Sequence, residues 1–150
     1  MLKVNLHHIA GELKLAEGLS LYMYKDTLGN DTIGWGHLMT RPIPRRAAEI
    51  ILQQDIIDAL SEVQKLVTSK GFIWETLPAE VQKVLILMSF QLGYFKLKGF
   101  KKMWKAIGHR NWRNMRVEML DSKWAREDTP DRAQLTATYL DRLIGEDNNG

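Results

Sequence analysis

Residues 16–40 read AEGLSLYMYKDTLGNDTIGWGHLMT. The stretch begins inside one kind of structure and ends inside another. Upstream of it, Asn5 is a residue type that caps helices, and Leu6, Ile9, Ala10 and Leu13 follow at helical spacing. Gly18 is placed to stop that helix, so Glu17 falls at its end. Beyond Gly18 the pattern changes. Leu21-Tyr22-Met23-Tyr24 is strand-like, Leu28-Gly29-Asn30-Asp31 is turn-like, and Thr32-Ile33-Gly34-Trp35 returns, which predicts a small antiparallel hairpin. One acid, Glu17, thus ends a helix, a second, Asp26, sits at the first bend of the hairpin, and Thr32 opens the return strand.

Outward from this stretch the chain reads as helix. Pro42 and Pro44 break it, and Pro44 suits the first turn of a helix from Arg45 to about Thr68. That helix would be roughly 35 Å long. Its stripe of Ala48, Ile51, Leu52, Asp55, Ala59, Leu60, Val63 and Leu66 is mostly apolar. Pro78 to Leu92 is apolar on most of its circumference, which marks a central helix, and Gly93 ends it. Phe100, Met103, Trp104 and Ile107 mark a short helix, and Trp112, Met115 and Met119 another, capped by Asn111. Thr129-Pro130 reads as a cap and first turn for a last helix through Leu143 and Ile144, stopped by Gly145, with a frayed tail from Glu146 to Gly150. The predicted class is α+β, mostly α: one domain over residues 1–150, with a small β-hairpin lobe at about 18–44, a connecting helix at 45–68, and a helical lobe from 1–17 and 72–145. A cleft between two such lobes is a natural ligand site.

Composition narrows the chemistry. The 150 residues are 45% hydrophobic, enough for a packed core, and the absence of cysteine excludes disulfides and thiolate zinc sites. No apolar run approaches the ~18 residues of a membrane span. The N-terminus lacks the apolar core of a secretory signal. His7, His8 and His109 have no metal-ligand spacing, and there is no phosphate loop and no Gly-x-Ser-x-Gly turn, so neither metal nor cofactor is expected. The net charge of +3 is uneven. Between Glu80 and Glu118 there is no acid but nine bases: Lys83, Lys96, Lys98, Lys101, Lys102, Lys105, Arg110, Arg113 and Arg116. Either these are solvated helix faces, or the stretch Lys96–Arg116 meets an anionic polymer or membrane surface. No nucleic-acid-binding signature accompanies them.

Two carboxyls brought from different elements into unlike surroundings are the equipment of glycosidic-bond cleavage. A carboxyl in the last turn of a helix faces the negative end of the helix dipole, which favours its protonated form, as a general acid requires. The bland alternative for Glu17 is a solvated helix-end glutamate. For Asp26 it is an aspartate that only bonds its own turn, and for Thr32 a β-branched strand residue. Trp35 either packs or stacks on a sugar ring from the hairpin.

The spacing Glu-x8-Asp-x5-Thr, with Glu17-Gly18-Leu19, Tyr24-Lys25-Asp26 and Thr32-Ile33-Gly34-Trp35-Gly36-His37 around it, resembles the active-site signature of the phage lysozymes (endolysins). The likeness continues through Leu52-Gln53-Gln54-Asp55, Phe90-Gln91-Leu92-Gly93, Ser122-Lys123-Trp124 and Thr129-Pro130-Asp131-Arg132-Ala133, from about Leu6 to Leu143. The resemblance implies a lysozyme-like fold. It also implies hydrolysis of the β-1,4 bond between N-acetylmuramic acid and N-acetylglucosamine in peptidoglycan, with inversion, by a monomer. By the same resemblance Glu17 is the proton donor, Asp26 the second carboxylate and Thr32 the residue that positions water. Gln91 reaches an acetamido group, Arg132 lies against the catalytic glutamate and favours its ionised form, opposing the helix dipole so that the sequence does not sign the balance, and His37 pairs with Asp55. Read from position alone, His37 is an ordinary hairpin-end histidine and Arg132 an exposed helix arginine.

The same likeness sets the expected setting: host cytoplasm, with action in the periplasm after a separate factor opens the membrane. Three features depart from the family pattern: a shorter connection between Thr40 and Asp55, one extra residue between Trp124 and Thr129, and Leu87 where many relatives carry asparagine. A lytic transglycosylase and a catalytically silent wall-binding or virion-structural module are the alternative functions.

Overall fold

Asn5 does what its residue type predicts. In the computed structural model, which describes residues 3–147, its Oδ1 accepts from the backbone N–H groups of His7 at 2.9 Å and His8 at 3.2 Å. Helix α1 (Leu6–Glu17) follows, and the N–H of Gly18 closes it on the carbonyl of Lys14. The strands β1 (Ser20–Lys25), β2 (Asp31–Gly34) and β3 (His37–Leu38) form one antiparallel sheet in the order β1-β2-β3. The expected hairpin is therefore three-stranded. Its register pairs Tyr24 with Thr32 and Lys25 with Asp31, and Thr32 in turn with Leu38. Lys25 and Asp31 add an ion pair at 2.6 Å. The third strand is only two residues long, too short for periodicity to reveal.

The chain divides into two compact units, Met1–Ala48 and Glu49–Gly150. Helix α2 (Arg45–Ser69) starts just before that boundary. Only Ala59, Val63, Leu66 and Val67, in its C-terminal half, are buried, while Ile51, Leu52 and Ile56 are exposed, so the apolar stripe is used over half its length.

The second unit contains α3 (Ala79–Leu92), α4 (Tyr94–Lys98), α5 (Lys101–Gly108), α6 (Trp112–Leu120), α7 (Pro130–Thr138) and α8 (Asp141–Asp147). Its core draws Val63, Leu66 and Val67 from α2, Val81, Val84, Leu85 and Met88 from α3, and Met103, Trp104 and Ile107 from α5. Met115 and Met119 of α6, Ala133 and Ala137 of α7, and Leu140 complete it. Trp104 is held by its Nε1–H, which donates to the Leu97 carbonyl at 2.9 Å. Asn111 caps α6 through the N–H of Asn114 at 2.9 Å. Helix α4 was not legible in the sequence, because five residues between two glycines carry too little periodicity.

Three C-terminal expectations are corrected. The last helix is two helices, broken at Tyr139 and Leu140. Leu140 is fully buried, and Asp141 pairs with Arg116 at 2.6 Å, so the chain turns to seat one and present the other. Gly145 does not stop α8, which runs on through Glu146 with an Arg142–Glu146 pair at 3.2 Å, while residues 148–150 of the expected tail lie outside the described residues. Thr129 precedes α7 without a side-chain capping bond. Trp124–Asp128 form a π turn, closed by the N–H of Thr129 on the Trp124 carbonyl at 2.9 Å.

Candidate active site

Asp26 lies at the end of β1, where the chain bends. Its Oδ1 accepts from the backbone N–H of Leu28 at 2.9 Å and of Asn30 at 2.8 Å, and its Oδ2 accepts from Nδ2 of Asn30 at 3.1 Å. The Asn30 backbone bond, then the Asn30 side-chain bond, hold its carboxyl below the usual carboxylate range, against an opposing effect of burial. The carbonyl of Asn30 accepts from the N–H of Asp26 at 2.9 Å and from Oγ1 of Thr32 at 3.0 Å. Asn30 thus ties Asp26 to Thr32. Thr32 is 2% exposed, and with its proton committed to Asn30 its oxygen is left as an acceptor.

Glu17 is exposed at the last position of α1. Among the described residues of its own unit its carboxyl takes no hydrogen bond and no ion pair. It lies against the turn between β2 and β3: a Cβ placed on Gly36 would stand 3.0 Å from Oε2 of Glu17, 3.1 Å from Cδ and 3.3 Å from Cγ. One helical turn upstream, Nζ of Lys14 stands 4.6 Å from the ring centroid of Trp35. Trp35 remains 46% exposed, so part of its ring is open to a ligand. His37, in β3, has a buried Nε2 with no hydrogen-bond partner among the described residues.

The other expected site residues belong to the second unit. Asp55 is exposed on α2 and lines a concavity of 370 Å³ with Asp58, Glu62, Ser89 and Phe90. Gln91, near the end of α3, donates through Nε2 to Oγ1 of Thr129 at 2.6 Å, and its buried Oε1 has no partner among the described residues. That bond occupies the hydroxyl expected to cap α7. Arg132 is exposed in the first turn of α7. A larger concavity of 630 Å³ has Leu92, Phe100, Met103 and Trp124 among its walls and Lys96, Lys101 and Lys102 beside them. It contains none of the residues expected to act in catalysis, to bind sugar or to support the acids, but three lysines of the basic stretch line it.

Sequence reasoning did not single out Asn30, Lys14 or Gly36. Asn30 was readable in principle, since an asparagine four residues after a turn aspartate is placed to bond it. Gly36 and Lys14 were not, because their partners come from a different element.

The sequence pattern of the family Phage lysozyme matches residues 14–136. Probable T4-type lysozyme 2 of Dictyostelium discoideum is 31% identical over 147 residues, covering 81% of this chain and 86% of the relative. Probable T4-type lysozyme 1 of the same organism is 31% identical over 155 residues, covering 86% and 91%. The pre-baseplate central spike protein Gp5 of Enterobacteria phage T4 is 25% identical over 158 residues, covering 88% of this chain but 27% of that protein. With its pattern matched over most of its length and relatives of this kind covered nearly end to end, the chain belongs to the phage lysozyme family.

Proposed function

We propose that the chain is a peptidoglycan hydrolase that cleaves the β-1,4 bond between N-acetylmuramic acid and N-acetylglucosamine, with inversion, and serves lysis of a bacterial host. Glu17 gives its proton to the glycosidic oxygen as the bond from the sugar's anomeric carbon breaks. Asp26 takes a proton from a water that adds to that carbon from the opposite face, and the acceptor oxygen of Thr32 orients this water. One observation carries the division of roles. Asp26 accepts three hydrogen bonds that favour its ionised form, whereas Glu17 stands exposed at a helix end and takes none among the described residues of its unit. A one-step inversion needs the two carboxyls roughly 6.5–9.5 Å apart, with the water between.

The test is turbidity loss of permeabilised Gram-negative cells. Glu17→Gln should slow clearing by at least about 100-fold while circular dichroism stays unchanged. Retention of most activity would remove Glu17 from the role of acid. NMR of the first product should show the inverted anomer, and an anhydro end instead would make the enzyme a transglycosylase.

The enzyme is made in the host cytoplasm and reaches the wall once a separate factor opens the inner membrane. No helix among the described residues is long and apolar enough to cross a membrane. The basic stretch supports contact with an anionic surface through fewer residues than its length suggests. Arg110 bonds the Thr76 carbonyl and Arg116 pairs with Asp141, while Lys83 stands over Tyr139 and Lys98 over Tyr94. Lys96, Lys101, Lys102 and Lys105 remain exposed, as does Phe95 at 83%. The likeness to a phage spike protein favours a second setting for the same chemistry, as part of a virion. Mass spectrometry of purified particles separates the two settings.

A further inference from the structure

We infer that the turn formed by Trp35 and Gly36 is the seat that positions the Glu17 carboxyl: Trp35 grips Lys14, one helical turn before Glu17, and the bare Cα of Gly36 leaves the space in which the carboxyl lies. The inference rests on the reading of Glu17 as the acid. Two independent contacts carry it. Residues three apart on a helix share a face, so Lys14 and Glu17 project from α1 on the same side. The two residues they meet, Trp35 and Gly36, are adjacent in the chain: the ammonium stands 4.6 Å from the indole centroid, and Oε2 of Glu17 lies 3.0 Å from where a Cβ on Gly36 would stand. The last turn of α1 is thus held at two points against one turn of the sheet.

Glycine is required here for two reasons. Gly36 has φ +75°, in the left-handed region that L side chains rarely adopt, and its missing Cβ is the atom that would press on Glu17. Gly34, two residues earlier, separates the reasons. It has φ +70° and nothing within 4 Å of where a Cβ would stand. An alanine at 34 meets only the backbone penalty, whereas an alanine at 36 meets the same penalty and displaces the carboxyl.

A general acid must stand within hydrogen-bond reach of the leaving oxygen, and small misplacements of a reacting group are costly in rate. The seat therefore acts on turnover and not on substrate binding. Trp35 and Gly36 are positioning residues in this scheme, and Lys14 a clamp.

The experiment measures kcat and KM on a soluble peptidoglycan fragment, together with the NMR resonance of the Glu17 side-chain carboxyl carbon. In Gly36→Ala, kcat should fall about 10- to 100-fold with KM within about twofold, and the Glu17 resonance should move. In Gly34→Ala the melting temperature should drop comparably, with kcat within about twofold and the resonance in place. Lys14→Met, which does not strain the backbone, should lower kcat a few-fold and move the resonance the same way. Equal kcat and equal Glu17 resonances in the two alanine variants would overturn the proposal. Should Gly36→Ala not fold, an unmoved resonance in Lys14→Met overturns it in its place. If Glu17→Gln retained activity, the acid role would fall, yet the resonance would still report whether the seat holds the side chain.

Discussion

The two units of this chain are held together by different physics. Among the described residues of the first unit only Thr32 is buried. In the second, Val63, Leu66, Leu85, Met88, Met115 and Met119 are fully sequestered from solvent. The first unit relies on directional bonds: the Asn5 cap, the three bonds to the Asp26 carboxylate, and the Lys25–Asp31 pair across the register. The second relies on apolar volume, the dominant favourable term in folding. The acids proposed for catalysis both stand in the unit without a core. Groups that must meet a polymer cannot be buried, and groups held by hydrogen bonds keep their geometry while staying open to it.

This contrast can be broken at both ends. The largest effect belongs to the second unit. Leu85→Ala removes a fully buried side chain and should cost about 2–5 kcal/mol in denaturant unfolding. A loss below about 1 kcal/mol would mean that the core is less tightly packed than its burial indicates. Next is the cap of α1. Asn5→Ala leaves two backbone N–H groups without their acceptor and should cost about 1 kcal/mol, seen as faster amide exchange at His7 and His8. Unchanged exchange there would deny the cap its part in holding the first unit.

The smallest effect depends on pH. The Asp26 carboxyl titrates lower in the folded chain than in the unfolded one. Its contribution is therefore fully present above the ordinary value of about 3.9 and is lost as pH falls through the folded value. Exchange protection of the β1–β2 turn should weaken in that acid window in the wild type, and the slope should flatten in Asp26→Asn. Asn30→Ala removes only the Nδ2 bond and leaves both backbone donors, so the Asp26 titration should move part of the way back. Full return would assign the whole effect to one side chain.

The same contrast explains what could be read in advance. Asn5, Gly18, Gly93 and Asn111 mark helix ends through atoms a few residues away, and the structure uses all four at the expected places. Glu17, Asp26 and Thr32 stood out by spacing and family likeness. The bend at Leu140 did not, because it answers to a core assembled from five other helices and to Arg116, 25 residues away from Asp141. Gly145 looked like a stop and is not one, since the Arg142–Glu146 pair spans it. Thr129 looked like a cap and serves Gln91 instead, across 38 residues of chain.

The sequence by itself pointed to the family, to most helix ends and to a candidate pair of acids, because caps, stops, turns and spacing act over a few residues and carry their meaning wherever the chain folds. Tertiary structure alone decided which atoms hold those acids. Asn30 binding Asp26 and Thr32 together is a property of the closed turn, and the bare Gly36 beneath Glu17 exists only once a helix end and a sheet turn meet. Contacts of the second kind depend on the sum of packing over both elements, which no short stretch of sequence encodes.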